Sequence, residues 1–171
     1  MLFHISKDLD FKTDFGYNLN SQKNNYYSSS DLPHLSQDQG GDAFIRSYTN
    51  SYWQSENYLT WNKQINSRQK MTVLAGASWQ KYNQEYVGAE KQNLIDDFFQ
   101  YQYLGAGSVR STAESNGYQW SMNSYYGRVT YNINEKYLFT ATGRYDGSSR
   151  FGANNKYAFF PSVGAAWRIS E

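Results

Sequence analysis

Cysteine is absent from the 171 residues, and proline and histidine occur twice each. Without cysteine there is no disulfide framework, no thiolate zinc site and no thiol nucleophile. The absence leaves the compartment open, and it is compatible with a cell envelope, where stray thiols are oxidised. Charge of one sign is also lacking: 16 Lys and Arg stand against 15 Asp and Glu, for a net charge of +1. The basic patch that nucleic acid demands is missing, and no nucleic-acid partner is expected. No run approaches the roughly 20 apolar residues of a membrane-spanning helix. That excludes a helical membrane protein but not a barrel, whose strands are apolar on one face only. Met1 to Lys7 lack the basic start and long apolar stretch of a secretory signal.

What is abundant is aromatic. Tyr, Phe and Trp number 17, 10 and 5, or 19% of the chain, while hydrophobic residues of all kinds reach only 39%. Tyr and Trp suit a surface that is apolar on one side and wet on the other, as at a membrane interface.

Apolar residues recur with period two, the signature of strands, and helical spacing is hard to find. Leu9, Phe11, Thr13, Phe15, Tyr17 and Leu19 alternate with Asp10, Lys12, Asp14, Gly16 and Asn18. A second strand is expected over about 46–65, with Trp53, Leu59, Trp61 and Ile65 on one face. A third covers about 70–87, with Met71, Val73, Ala75, Ala77 and Trp79 opposite Thr72, Gly76, Ser78 and Gln80. A fourth, about 118–133, sets Tyr125, Gly127, Val129, Tyr131 and Ile133 against Ser124, Tyr126, Arg128, Thr130 and Asn132. A fifth, 137–146, sets Tyr137, Phe139, Ala141, Gly143 and Tyr145 against Thr140, Thr142, Arg144 and Asp146. A sixth, 157–169, carries Tyr157, Phe159, Pro161, Val163, Ala165, Trp167 and Ile169 on one face. Pro161 lacks a ladder N–H, so a bulge or local break is expected there.

These strands exceed the usual ~5–6 residues and match the ~9–11 needed to cross a membrane as a tilted strand. Connections alternate in length. Asn20 to Phe44 and Gly88 to Gly117 are long, Gly147 to Lys156 is intermediate, and Asn66–Gln69 and Asn134–Lys136 are short. Outer-membrane barrels have short periplasmic turns and longer extracellular loops. On the apolar faces the charges are Lys63 and Lys81, both near strand ends. Small residues are frequent there (Ala75, Ala77, Gly127, Ala141, Gly143, Ala165), where a sandwich core would want bulk and lipid fills any shape. Trp61, Trp79, Tyr82, Tyr131, Tyr137, Tyr157 and Trp167 fall toward strand ends, as in an aromatic girdle. The expected fold is all-β: an antiparallel up-and-down meander of about six long strands, part of a larger transmembrane β-barrel.

The stretch from Lys136 to Glu171 carries a run of specific spelling. Tyr137-Leu138 leads to Arg144-Tyr145-Asp146-Gly147-Ser148-Ser149-Arg150-Phe151-Gly152, and Phe160-Pro161-Ser162 leads to Trp167-Arg168. This resembles the barrel of SusC/RagA-type TonB-dependent transporters, as do Leu59–Asn62, Val73–Gly76 and Tyr126–Val129. The resemblance implies an outer-membrane importer of glycan or peptide nutrients, and not an enzyme. It implies a barrel of about 22 strands with a plugged lumen, capped by a SusD-like surface lipoprotein and energised through TonB. Six strands are too few to close a barrel, so residues 1–171 are expected to be a part of one, with plug and remaining strands outside this chain. Outer-membrane lipid is the further partner, and no cofactor, metal or catalytic residue is expected.

In the motif, Asp146-Gly147 reads as a turn, Ser148 and Ser149 as caps for free amides, and Arg150 as a partner for an acid. Asp146, Gly147, Ser148, Ser149, Arg150, Phe151 and Gly152 are therefore taken as a loop-shaping unit ahead of a ligand site, and the substrate-binding residues stay unassigned. Other chemistry is weak. His4 and His34 read as surface histidines. Asp96-Asp97 is a pair of adjacent loop carboxylates, unlike the separated pair of a glycosidase. Leu94–Phe99 reads as a short helical turn. Gly105-Ala106-Gly107 reads as a hinge, since no strand and helix flank it. A soluble all-β carbohydrate-binding module is the reading from another class, and a passive porin is a third.

Overall fold

The computed structural model describes residues 1–29, 31, 41–94, 97–152 and 154–169, without the side chains of 109–111. His34, Ile95 and Asp96 lie outside the described residues. Seven strands, β1 (Leu2–Ser6), β2 (Leu9–Ser28), β3 (Gly41–Asn66), β4 (Gln69–Leu94), β5 (Gly107–Ile133), β6 (Tyr137–Ser148) and β7 (Tyr157–Trp167), form one sheet in chain order. The expected all-β meander is present, with the short β1 added to the six long strands. Two 3₁₀ turns, Gln100–Gln102 and Leu104–Ala106, stand before β5. Two compact units are distinguished: Met1–Tyr17, Tyr52–Tyr82 and Trp120–Glu171 form the first, and Asn18–Ser51 with Asn83–Gln119 the second.

The strands run further than their periodicity indicates. β2 has 20 residues, β3 and β4 have 26 each and β5 has 27. Much of the expected loops Asn20–Phe44 and Gly88–Gly117 is therefore strand. Their Ser, Asn, Gln and Gly content imitates a loop because both faces of these segments are polar, so no alternation marks them.

In the first unit the register fixes the faces. Val129 stands opposite Ala141 and Ala141 opposite Val163; Tyr126 stands opposite Arg144 and Arg144 opposite Phe160. Every apolar position assigned to β5, β6 and β7 from the sequence thus falls on one side. That side is bare: Phe15, Val163 and Trp167 are 70%, 85% and 59% exposed. Short turns hold the ends of the hairpins to the next strand. Asn62 N–H donates to Asp8 O at 2.7 Å, Asn134 N–H to Arg68 O at 2.6 Å and Arg168 N–H to Lys136 O at 2.9 Å. Asn134 and Glu135 both take positive φ, 56° each, in the β5–β6 turn.

Two expectations fail here. Pro161 makes no bulge, since the β6–β7 ladder is continuous from Tyr137↔Trp167 to Gly147↔Tyr157. The bonds Ser148 N–H to Lys156 O and Arg168 N–H to Lys136 O put hydrogen-bonded pairs at even positions of β6. Gly143↔Pro161 is consequently a non-bonded pair, where no N–H toward β6 is required. Tyr82 is not a girdle residue. It stacks on Trp120, 6.1 Å between centroids, on the polar side.

On that side Gly76 has a packing role. A Cβ there would stand 2.7 Å from both the Tyr126 ring and Tyr58 Cβ. Gly76→Val should therefore destabilise the protein by about 1–3 kcal/mol through overpacking. Gly164→Val, where a Cβ meets nothing within 4 Å, should change little. Heat-modifiable gel migration of the protein from outer membranes reads both.

Candidate functional site

The family-like motif is half strand. Asp146, Gly147 and Ser148 belong to β6, and the chain turns only at Ser149 and Arg150. Reading Asp146-Gly147 as the corner is thus corrected. Gly147 does not have positive φ; it is small because the Tyr157 ring, stacked 4.9 Å on Tyr145, lies where its Cβ would be. Ser148 Oγ accepts the Arg150 amide at 3.2 Å. Ser149 and Ser121 are tied twice: Ser149 N–H donates to Ser121 O at 3.0 Å, and Ser121 N–H to Ser149 Oγ at 2.9 Å. Phe151 N–H donates to Ser148 O at 3.2 Å, which closes the turn, and Gly152 O accepts from Asn155 N–H at 3.0 Å.

The charged members of the motif face aromatic neighbours. Arg150 lies over the Trp120 ring at 4.7 Å, and Trp120 stacks with Tyr82 and meets Tyr52 at a tilt. The acid of the motif pairs with Arg144: Nε donates to both carboxylate oxygens of Asp146, at 2.7 and 2.8 Å, and Nη2 to Ser124 Oγ at 3.1 Å. The same guanidinium stands 5.8 Å above the Tyr126 ring, whose hydroxyl donates to Glu56 Oε1 at 2.9 Å. At the other side of Gly76, Lys12 lies 5.6 Å over Tyr58 and pairs with Asp14 at 2.9 Å. A cation–ring–Gly–ring–cation row so crosses the polar face of the first unit, built from the alternate residues of β2 to β6. Glu56, Tyr58, Tyr126, Arg128, Thr142 and Arg144 line a shallow polar groove along it. These groups hold one another, and the arrangement is one of binding and scaffolding.

The second unit holds a separate set. Tyr27 and Ser29 both donate to Asp97, the serine at 2.6 Å, so Asp97 is a structural acceptor. Burial first, then the hydrogen bond to Asp97, push the Tyr27 phenol up to about 12. Tyr86 donates to Glu114, and that bond raises its phenol to about 12. Tyr86 packs on Tyr48 at 4.7 Å, and the two rings with Gln84, Asn116, Gly117 and Tyr118 line an aromatic and amide groove. Gly105 and Ala106 sit in a 3₁₀ turn and Gly107 opens β5, so the expected hinge is ordered structure. His4 is exposed and bonds Asp10 at 2.6 Å in the β1–β2 hairpin. Among the described residues no group of three His, Asp or Glu side chains could hold a metal.

The family model of the TonB-dependent receptor-like β-barrel matches residues 3–171. The chain belongs to the TonB-dependent receptor β-barrel family. It is 35% identical over 162 residues to TonB-dependent receptor P26 of Formosa agariphila, which covers 94% of this chain and 16% of that protein. It is 50% identical over 48 residues to TonB-dependent receptor SusC of Bacteroides thetaiotaomicron, 28% of this chain and 5% of that one. The structure of the RagAB peptide transporter superposes with a TM-score of 0.91 at 23% identity, over 98% of this chain and 19% of its own. The chain thus spans about a sixth of the length of such relatives. The resemblance to SusC/RagA-type transporters holds, and proteins of this family sit in the outer membrane.

Sequence reasoning missed the row across Gly76 because its members come from five strands. Only the inter-strand register brings them together.

In the second unit, Tyr27 and Tyr86 should titrate near 12, above the ordinary phenol value of about 10. Raised folded values mean their contribution to stability is complete below about pH 10 and is lost as pH rises through 12. Ultraviolet titration of the protein should lose one late-ionising tyrosine in each of Tyr27→Phe and Tyr86→Phe.

Proposed function

We propose that this chain forms one sector of the wall of a larger outer-membrane barrel, and that the whole protein imports a nutrient. The supporting observation is the two-sidedness of the first unit. One side is apolar, exposed and flanked by aromatic pairs; the other carries the paired charges Lys12–Asp14 and Arg144–Asp146. A wall between lipid and a polar lumen needs that division. A soluble carbohydrate-binding module would bury such a face, so that reading is not favoured.

The short turns Ser67–Arg68 and Asn134–Lys136 of the first unit are taken as its periplasmic end. Import is driven through TonB, and a SusD-like lipoprotein caps the extracellular side. The substrate is a glycan or a peptide, the two classes that the SusC/RagA resemblance implies, and the similar RagAB structure is that of a peptide transporter. Asp146 to Gly152 serve as scaffold for the β6–β7 connection, since their polar groups are spent on one another and on Ser121, Arg144 and Trp120.

Two experiments check this. The chain has no cysteine, so Val163→Cys and Thr142→Cys report the two sides. In native membranes a lipid-soluble maleimide should reach Val163→Cys, and a membrane-impermeant one should react with Thr142→Cys alone. Labelling of both by the impermeant reagent would remove the transmembrane wall. Uptake of labelled oligosaccharide or peptide by cells carrying the protein should stop when TonB is deleted; persistence would favour a passive porin. In the same assay Asp146→Asn should lower the amount of folded protein without changing the concentration of half-maximal uptake. A shift in that concentration at unchanged protein level would make Asp146 a ligand contact.

A further inference from the structure

On the lipid side of the first unit lies a depression that import does not use. Its walls are Val129, Tyr131, Phe139, Ala141, Val163 and Ala165. All six belong to one face of three consecutive paired strands. It exists because small side chains sit among large ones. Ala141 lies between Val129 and Val163, and Ala165 lies opposite Phe139. Tyr131 and Phe139 face each other across the β5–β6 ladder and form one wall. The Tyr131 ring is held in place, because its hydroxyl donates to Gln69 Oε1 at 2.9 Å. The lining is almost wholly carbon and carries no charged side chain. Water has no partners there, and a flexible hydrocarbon chain does.

The depth of the depression selects the occupant. Tyr137–Trp167, stacked at 6.4 Å, and Tyr145–Tyr157, stacked at 4.9 Å, mark two ends of the apolar band. From 137 to 145 is roughly 27 Å of strand at about 3.4 Å per residue. For a strand tilted ~35–45° this is about 19–22 Å of membrane depth. The depression is at 139–141 on β6, beside the Tyr137–Trp167 pair. It opens into the half of the membrane next to the short turns.

We propose that this depression seats one acyl chain of a phospholipid from the periplasmic leaflet. The Tyr137 hydroxyl and Trp167 indole N–H lie at the level of its head group, where amphipathic rings find polar partners. The leaflet assignment rests on the orientation proposed above, with short turns periplasmic. Lipid tails are as apolar as the wall, so no hydrophobic gain separates this site from the surrounding bilayer. Retention comes from shape: a chain in the depression touches side chains of three strands at once and gains dispersion contacts that a flat wall does not offer. The site is therefore selective by a modest factor.

The test uses the complete protein, expressed from its own gene and extracted from outer membranes in mild detergent. Native mass spectrometry should find one phospholipid retained. Ala141→Trp fills the depression and should cut the retained fraction at least about fivefold, under 1.4 kcal/mol for each tenfold. Ala165→Leu fills it less and should give a smaller loss. Ala77→Trp, on the same side of β4 but outside the depression, should leave retention unchanged. Heat-modifiable migration confirms that each variant is folded, and Ala165→Leu carries the test should Ala141→Trp fail to fold. Equal retention in the wild type and both filled variants overturns the site while leaving the orientation intact. Lipopolysaccharide retained in place of phospholipid overturns the leaflet assignment and the orientation together.

Discussion

Inside hydrocarbon a peptide N–H has no water to turn to, so every strand that crosses a membrane must give its backbone bonds to neighbouring strands. The rest of this structure follows from that constraint. The ladders from β5 to β7 are unbroken over their length. A continuous ladder fixes the register, and the register fixes which side each residue faces. Even the proline obeys it: Pro161 sits at a pair where no N–H toward β6 is called for. A wall built this way is one sheet thick, and it has no interior in which to hide a side chain. Among the described residues only Ala43 and Leu94 are buried hydrophobics.

With no interior, packing happens along the two surfaces. On the lipid side, rings stack on rings across the ladder, as in Tyr137–Trp167 and Tyr145–Tyr157. On the polar side cations lie over rings and are neutralised by neighbouring acids, as with Arg144 between Tyr126 and Asp146. Glycine lets this happen at two places. Gly76 admits Tyr58 and Tyr126, and Gly147 admits Tyr157. In the second unit, phenol–carboxylate bonds take over: Tyr27 and Ser29 secure Asp97, and Tyr86 meets Glu114.

The legibility of the chain tracks this division. Where one face meets lipid, alternation is strong, and the assigned faces of β5, β6 and β7 agree residue by residue with the register. Where both faces are polar, alternation disappears, and the second-unit parts of β2, β3, β4 and β5 pass for loops. Tyr82 was misplaced for a related reason: an aromatic near a strand end suits a girdle, but parity sets it beside Trp120. The motif was legible as a resemblance and as amide caps, since Ser148 and Ser149 act on nearby backbone. Its corner was not, because Gly147 answers to the Tyr157 ring from the next strand rather than to its own φ. Likewise Arg150 finds Trp120, and the acid of the motif finds Arg144 two residues away.

By itself the sequence determined the strand class, the two-faced character of the lipid-crossing segments and the family. The first two follow from local periodicity and composition, which a period-two backbone converts directly into sides, and the family follows from the spelling of the Arg144–Gly152 run. Only the tertiary structure decided how long the strands are, which rings share a row and where small residues leave a depression. Those depend on register between strands that lie far apart in sequence. Arg144, Tyr126, Gly76, Tyr58 and Lys12 meet because four ladders align their five strands, and no local pattern encodes that alignment.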